Sequence, residues 1–93
     1  MAKFTTRVEL HDAKTWEDYD KLHAAMEKKG FSRTIVFGGI TYQLPTAEYN
    51  YVGEVTRDQV LELAKSAATA TGHKFCVLVT ESAGRVMHNL KPV

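Results

Sequence analysis

His11 and Asp12 stand side by side where an alternating stretch, KFTTRVEL, gives out. A carboxylate in such a place can hold Mg²⁺ against a phosphate, and a histidine can move a proton. Asp12 can equally close an Asx turn into the next element, and the two roles are compatible. His23 is the second candidate. It falls on an apolar stripe, where a satisfied, partly buried histidine is the ordinary outcome. Beside a phosphate it would be a titratable group, with Lys21 as a phosphate contact. Tyr42, Tyr49 and Tyr51 alternate with polar residues downstream of Arg33. Aromatic rings near a cation can stack bases and pair phosphates, although strand propensity alone also accounts for tyrosines in this pattern. Arg7 lies on the polar side of the first alternating stretch, which is either a solvated face or the floor of a basic groove. Arg57, Lys74, Arg85 and His88 are too scattered along the chain to make a patch.

No motif dictates a chemistry. The sequence has no CxxC pair, HExxH, P-loop, GxGxxG or GxSxG. The four histidines have no metal-ligand spacing to one another, so any metal would fall to Asp12.

The elements that must position these residues follow from periodicity. Residues 3–10 alternate, with Phe4, Thr6, Val8 and Leu10 opposed to Lys3, Thr5, Arg7 and Glu9, which reads as a half-buried strand. A helix starts near Thr15, with Asp18 three residues on as a capping box, and carries Trp16, Tyr19, Leu22, His23 and Met26 on one buried stripe. Acidic residues near its start and Lys28 and Lys29 near its end complement the helix dipole, and Gly30 ends it. Residues 31–44 read as a long second strand broken at Gly38-Gly39, a pair that also suits a hairpin turn or a bulge. A turn around Pro45 leads to a third strand at 48–55. Thr56 with Gln59 opens a second helix, with Val60, Leu63, Ala64, Ala67 and Thr71 on one face and Gly72 as its stop. Residues 74–80 form the last strong strand, and 85–90 would add a short edge strand.

The order β-α-β-β-α-β predicts an α+β domain over residues 1–93. Its form is a ferredoxin-like split βαβ sandwich, with two helices on one face of a mostly antiparallel sheet and a fifth edge strand as an option. Twelve Lys+Arg against eleven Asp+Glu leave net +1, so any anionic partner must be held by a local patch. Cys76, the only cysteine, sits within KFCVLV and is expected to be a buried, inert thiol. No apolar stretch approaches a membrane span, and MAKFTTRVEL lacks the apolar core of a signal peptide, so the expected address is cytoplasmic, away from membranes. Monomer and homodimer both stay open, with residues 85–90 as a place for strand pairing.

KFTTRVELHD, then KLHAAMEKKGFSRTIV, then QLP before a strand and a capped helix, resembles the GhoS-like antitoxin family of type V toxin–antitoxin systems. The resemblance spans roughly Lys3 to Thr80 and lies in element order and in positions such as Phe4, Asp12, Leu22, Met26 and Phe31. The tail SAGRVMHNLKPV has no counterpart in it. The resemblance implies a ferredoxin-like fold and a small endoribonuclease that cleaves the messenger RNA of a membrane-acting toxin. Small CRISPR-associated nucleases share that fold and carry an aspartate at the end of strand one, matched in position by Asp12. Their neighbouring catalytic pattern is absent. RNA cleavage has two routes: a metal-bound water with Asp12 as ligand, or attack by the 2′-hydroxyl with His11 or His23 as base and Arg33 stabilising charge. The second needs no cofactor, so none is obligatory and Mg²⁺ belongs to the first alone. The alternative function is a non-catalytic module that holds RNA or protein on an open sheet face.

Overall fold

The structure, a computed structural model, describes residues 1–93. The alternating start of the chain becomes β1 (Ala2–Leu10). Its inward residues Phe4, Thr6, Val8 and Leu10 are buried, while Lys3, Arg7 and Glu9 are exposed on the other side. The chain continues through α1 (Trp16–Lys28), β2 (Thr34–Phe37), β3 (Ile40–Gln43), β4 (Glu48–Gly53), α2 (Arg57–Thr69) and β5 (Phe75–Glu81).

β1 is central in a three-stranded sheet of order β4-β1-β5 and pairs antiparallel with both neighbours. Thr6 lies opposite Tyr49 on one side and Val79 on the other. β4 and β5 therefore run parallel to each other with β1 between them. β2 and β3 form a separate antiparallel pair. One antiparallel bridge, Ser32 with Asn50, ties the start of this hairpin to β4 through backbone bonds of 2.8 and 2.7 Å. The interleaved strand–helix–strand units are compatible with a ferredoxin-like arrangement.

Both helices begin as their sequences require. Asp18 Oδ2 accepts from the backbone N–H of Lys14 (2.9 Å) and Thr15 (3.3 Å). At α2 the box is reciprocal, with Gln59 N–H donating to Thr56 Oγ1 (3.1 Å) and Thr56 N–H to Gln59 Oε1 (2.8 Å). The α2 cap contributes about 1 kcal/mol by satisfying a helix-start N–H group, whereas at α1 the Thr15 side chain makes no such bond. The helices cover one face of the sheet. Leu22 and Met26 of α1 and Val60, Ala64, Ala67 and Ala68 of α2 join Phe4, Val8, Leu10, Phe31 and Tyr49 in one core. The alanines let the α2 backbone approach the strands closely.

Four expectations are corrected. Gly38 (φ +55) and Gly39 (φ +77) are both left-handed, the requirement of a tight two-residue reversal, so residues 31–44 make a hairpin and not one long strand. Trp16 is 76% exposed, because the first helical residue lies ahead of the turns that reach the sheet. Cys76 is exposed, since Phe75, Val77 and Val79 take the helix-facing positions and no helix covers the other side. Residues 85–90 form no strand. From Ser82, whose N–H donates to Lys3 O (2.7 Å), the chain crosses the bare face of the sheet, where Arg85 Nη1 donates to Thr5 Oγ1 (3.2 Å) and Asn50 Oδ1 (3.0 Å). It then docks on β3 through Gln43 N–H to Lys91 O (2.8 Å) and Val93 N–H to Thr41 O (3.0 Å). The free edge of the sheet is β5. No helix is long and apolar enough to cross a membrane.

Thr6 Oγ1 is the one buried side-chain polar atom without a hydrogen-bond partner. Replacing a buried unsatisfied hydroxyl by a methyl of similar shape removes a desolvation penalty of about 1 kcal/mol or more. Thr6→Val is therefore expected to raise the urea midpoint with an unchanged slope. A lower midpoint would show that the hydroxyl is satisfied in solution.

Candidate functional site

The β1–β5 register continues past the strands. His11 N–H donates to Lys74 O (2.9 Å), which carries Asp12 alongside His73. Asp12 Oδ1 lies 2.9 Å from His73 Nδ1, and Asp18 Oδ1 lies 3.0 Å from His73 Nε2. Hydrogen bonds to Asp12 first and then Asp18 raise the His73 pKa above its ordinary 6.5. The hydrogen bond with His73 is the largest cause holding Asp12 low, and the Lys14 N–H is the largest for Asp18, with His73 adding to it. An imidazolium donating from both nitrogens has neither a free lone pair nor a free N–H. The ring thus joins the turn after β1, the first turn of α1 and the turn before β5. Asp12 sits at the end of β1, where the sequence puts it, with its charge committed to His73. The His11 side chain is exposed and makes no hydrogen bond. No group of three or more His, Cys, Asp or Glu is arranged to hold a metal ion. His73 was missed by sequence reasoning. The signal that could have found it is the antiparallel register, in which Leu10 opposite Phe75 implies Asp12 opposite His73.

A different arrangement forms where α1 meets the start of β2. His23, Glu27, Phe31, Ser32 and Arg33 line a cleft of about 360 Å³. His23 Nδ1 is 2.5 Å from Tyr49 Oη, and its Nε2 has no protein partner. Burial lowers the His23 pKa, the Arg33 charge lowers it further, and Asp20 works the other way, so the ring is neutral at neutral pH. Burial pushes the Tyr49 hydroxyl up, so it keeps its proton. The pair has two tautomers. With Tyr49 donating, Nε2–H is a donor; with Nδ1–H donating to Tyr49, Nε2 offers the lone pair of a general base. The Arg33 backbone is fixed, its carbonyl accepting from Leu44 N–H (2.8 Å) and Gln43 Nε2 (3.0 Å), while its guanidinium enters no ion pair. A neutral imidazole beside an uncommitted guanidinium can move a proton and stabilise anionic charge in one place.

The structure does not gather the other candidates there. Tyr49 is 1% exposed and packs against His23 and Phe31 at centroid distances of 5.7 and 6.3 Å, so its ring presents no face to a base. Tyr51 is half-buried against Phe31 and Phe4. Both tyrosines sit on the helix-facing side of β4, opposite the inward residues of β1, so neither ring lies on the bare face of the sheet. Tyr42 belongs to the hairpin and meets the edge of Phe37. Arg7 is on the bare face in an exposed pair with Glu9 (3.6 Å), and Lys21 is exposed on α1. No family model, no curated protein and no solved structure matches the chain.

The two histidines should titrate apart, above 6.5 for His73 and below it for His23, as read by imidazole chemical shifts. A raised His73 pKa contributes stability that is complete below 6.5 and lost as pH rises through the folded value. The lowered Asp12 and Asp18 contribute stability present above 3.8 and lost as pH falls through their folded values. His23, held neutral, contributes stability that is complete above 6.5 and lost as pH falls through its lowered folded value. His73→Gln is therefore expected to flatten the alkaline fall of urea stability while leaving the His23-dependent fall in place. An unchanged alkaline limb in that variant would overturn the assignment.

Proposed function

We propose that this chain is an antitoxin-type endoribonuclease on a ferredoxin-like frame, cleaving RNA at the His23–Arg33 cleft without a metal. The observation that carries the reading is a neutral His23, oriented by Tyr49, with a free Nε2 beside the uncommitted Arg33 guanidinium. In this reading His23 Nε2 takes the proton of a 2′-hydroxyl. The 2′-oxygen attacks the adjacent phosphorus, and the P–O5′ bond breaks, with the 5′-oxygen leaving protonated from water. The products are a 2′,3′-cyclic phosphate and a 5′-hydroxyl. Arg33 stabilises the charge that builds on the non-bridging oxygens. Asp12 has no part in this route because it is held by His73. The target class, the messenger of a small membrane-acting toxin, rests on the resemblance across Lys3 to Thr80.

A second reading is a non-catalytic module that holds RNA or protein on the bare sheet face. It is favoured by Lys3 and Arg85, cations on that face that enter no ion pair.

Purified protein incubated with A/U-rich messenger is expected to cut it equally with and without EDTA and to leave cyclic phosphate ends. His23→Ala should slow cleavage by about 100-fold or more, in the range of lost acid–base catalysis, whereas Asp12→Ala should keep the wild-type rate. Cleavage abolished by EDTA and by Asp12→Ala would move the chemistry to a metal at Asp12. Intact RNA after incubation with wild type would remove the catalytic reading.

A further inference from the structure

Where the chain leaves β5 and crosses the bare face, it meets the hairpin across a groove of about 410 Å³, within the size range of small-molecule sites. Lys3, Val36, Phe37, Ser82 and Arg85 are among its lining residues, and no acidic residue lines it. Arg85 is half-buried, and burial works against its charge. Its hydrogen-bond partners, Thr5 Oγ1 and Asn50 Oδ1, are neutral, and both bonds leave from Nη1. A guanidinium has five N–H donors. The Nε–Nη2 side of Arg85 is thus without a protein acceptor, and these atoms are not sealed in the interior. Lys3 also lacks an ionic partner. Taking a charge out of water without a counter-charge is costly, and an anion in the groove would offset that cost.

The geometry points to a phosphodiester-binding subsite for single-stranded RNA in this groove, with the free edge of the Arg85 guanidinium as a bidentate fork, Lys3 as a second cation, Ser82 as a hydroxyl donor and the half-buried Phe37 ring beside them for a base. An Arg fork matches two phosphate oxygens, and a single strand leaves its bases free to meet an aromatic ring. β2 links this groove to the cleft, since Arg33 precedes the strand and Phe37 ends it. The subsite rests on RNA being the ligand, and it holds whether or not the RNA is cut.

The test uses the full chain and a fluorescent 2′-O-methyl A/U-rich oligonucleotide, which cannot undergo 2′-hydroxyl attack, so anisotropy reads binding alone. Arg85→Gln keeps an amide donor for Thr5 and Asn50 but removes the charge; Lys3→Ala alters only an exposed side chain. Each is expected to weaken binding about tenfold and to reduce the slope of log affinity against log salt by about 0.7, the value for one phosphate contact on a single strand. Phe37→Ser should weaken binding with the slope unchanged, because it removes a stacking ring and no charge. Wild-type affinity and slope in both Lys3→Ala and Arg85→Gln would overturn the subsite, as would absence of wild-type binding at low salt. If thermal unfolding shows that Arg85→Gln disturbs the fold, Lys3→Ala decides. Groove-dependent binding with natural RNA left intact defeats the cleavage reading alone, and cleavage with unaltered binding by both cation variants defeats the subsite alone.

Discussion

Strand β1 hydrogen-bonds along both of its edges, and one of its faces is sealed by the two helices. A period-two strand in that position has no freedom of register, because a slip by one residue would put Lys3, Arg7 and Glu9 into the core. Everything else is placed relative to it. The register with β5 delivers His73 to Asp12, and the register with β4 turns Tyr49 inward toward His23. The outward residues of β1 become the floor that the chain after β5 crosses. Buried Thr6, set between Tyr49 and Val79, is the one polar side chain that this rigid placement leaves unpaired.

The two structured histidines show how one side-chain type is given opposite properties by its surroundings. His73 is bracketed by carboxylates at both nitrogens, and its positive form is favoured. His23 is enclosed by Tyr49 and faces the positive field of Arg33, which favours its neutral form. The first acts as a tie between three segments, and the second keeps a nitrogen available for chemistry. Environments that push like groups apart in this way are how proteins divide structural from reactive duty among residues of one kind.

What was legible beforehand was local. The alternation of β1, the boxes Thr15/Asp18 and Thr56/Gln59 and the stops at Gly30 and Gly72 depend on neighbours within a few residues, and the structure agrees with them. Trp16 and Cys76 went astray because burial depends on which face another element covers, which periodicity does not state. The Gly38-Gly39 pair was ambiguous between continuation and reversal until its backbone signs were known. Asp12, His23 and Arg33 were named in advance, and His23 was paired with Arg33, but the partner that holds Asp12 was not named. Asp12 meets a residue 61 positions away, and Arg85, set aside as scattered, meets Thr5 from 80 positions away. Such pairings are products of sheet order, which only the whole fold supplies.

β5 closes the sheet on one side and leaves its other edge unpartnered along seven residues, FCVLVTE. The strand holds no proline and no lysine, and its bare face presents Leu78 at 66% exposure beside the thiol of Cys76. Natural edges are commonly blunted by such residues or by a bulge, and this one is not. At high protein concentration the strand is therefore the segment through which two copies would pair edge to edge into one continuous sheet.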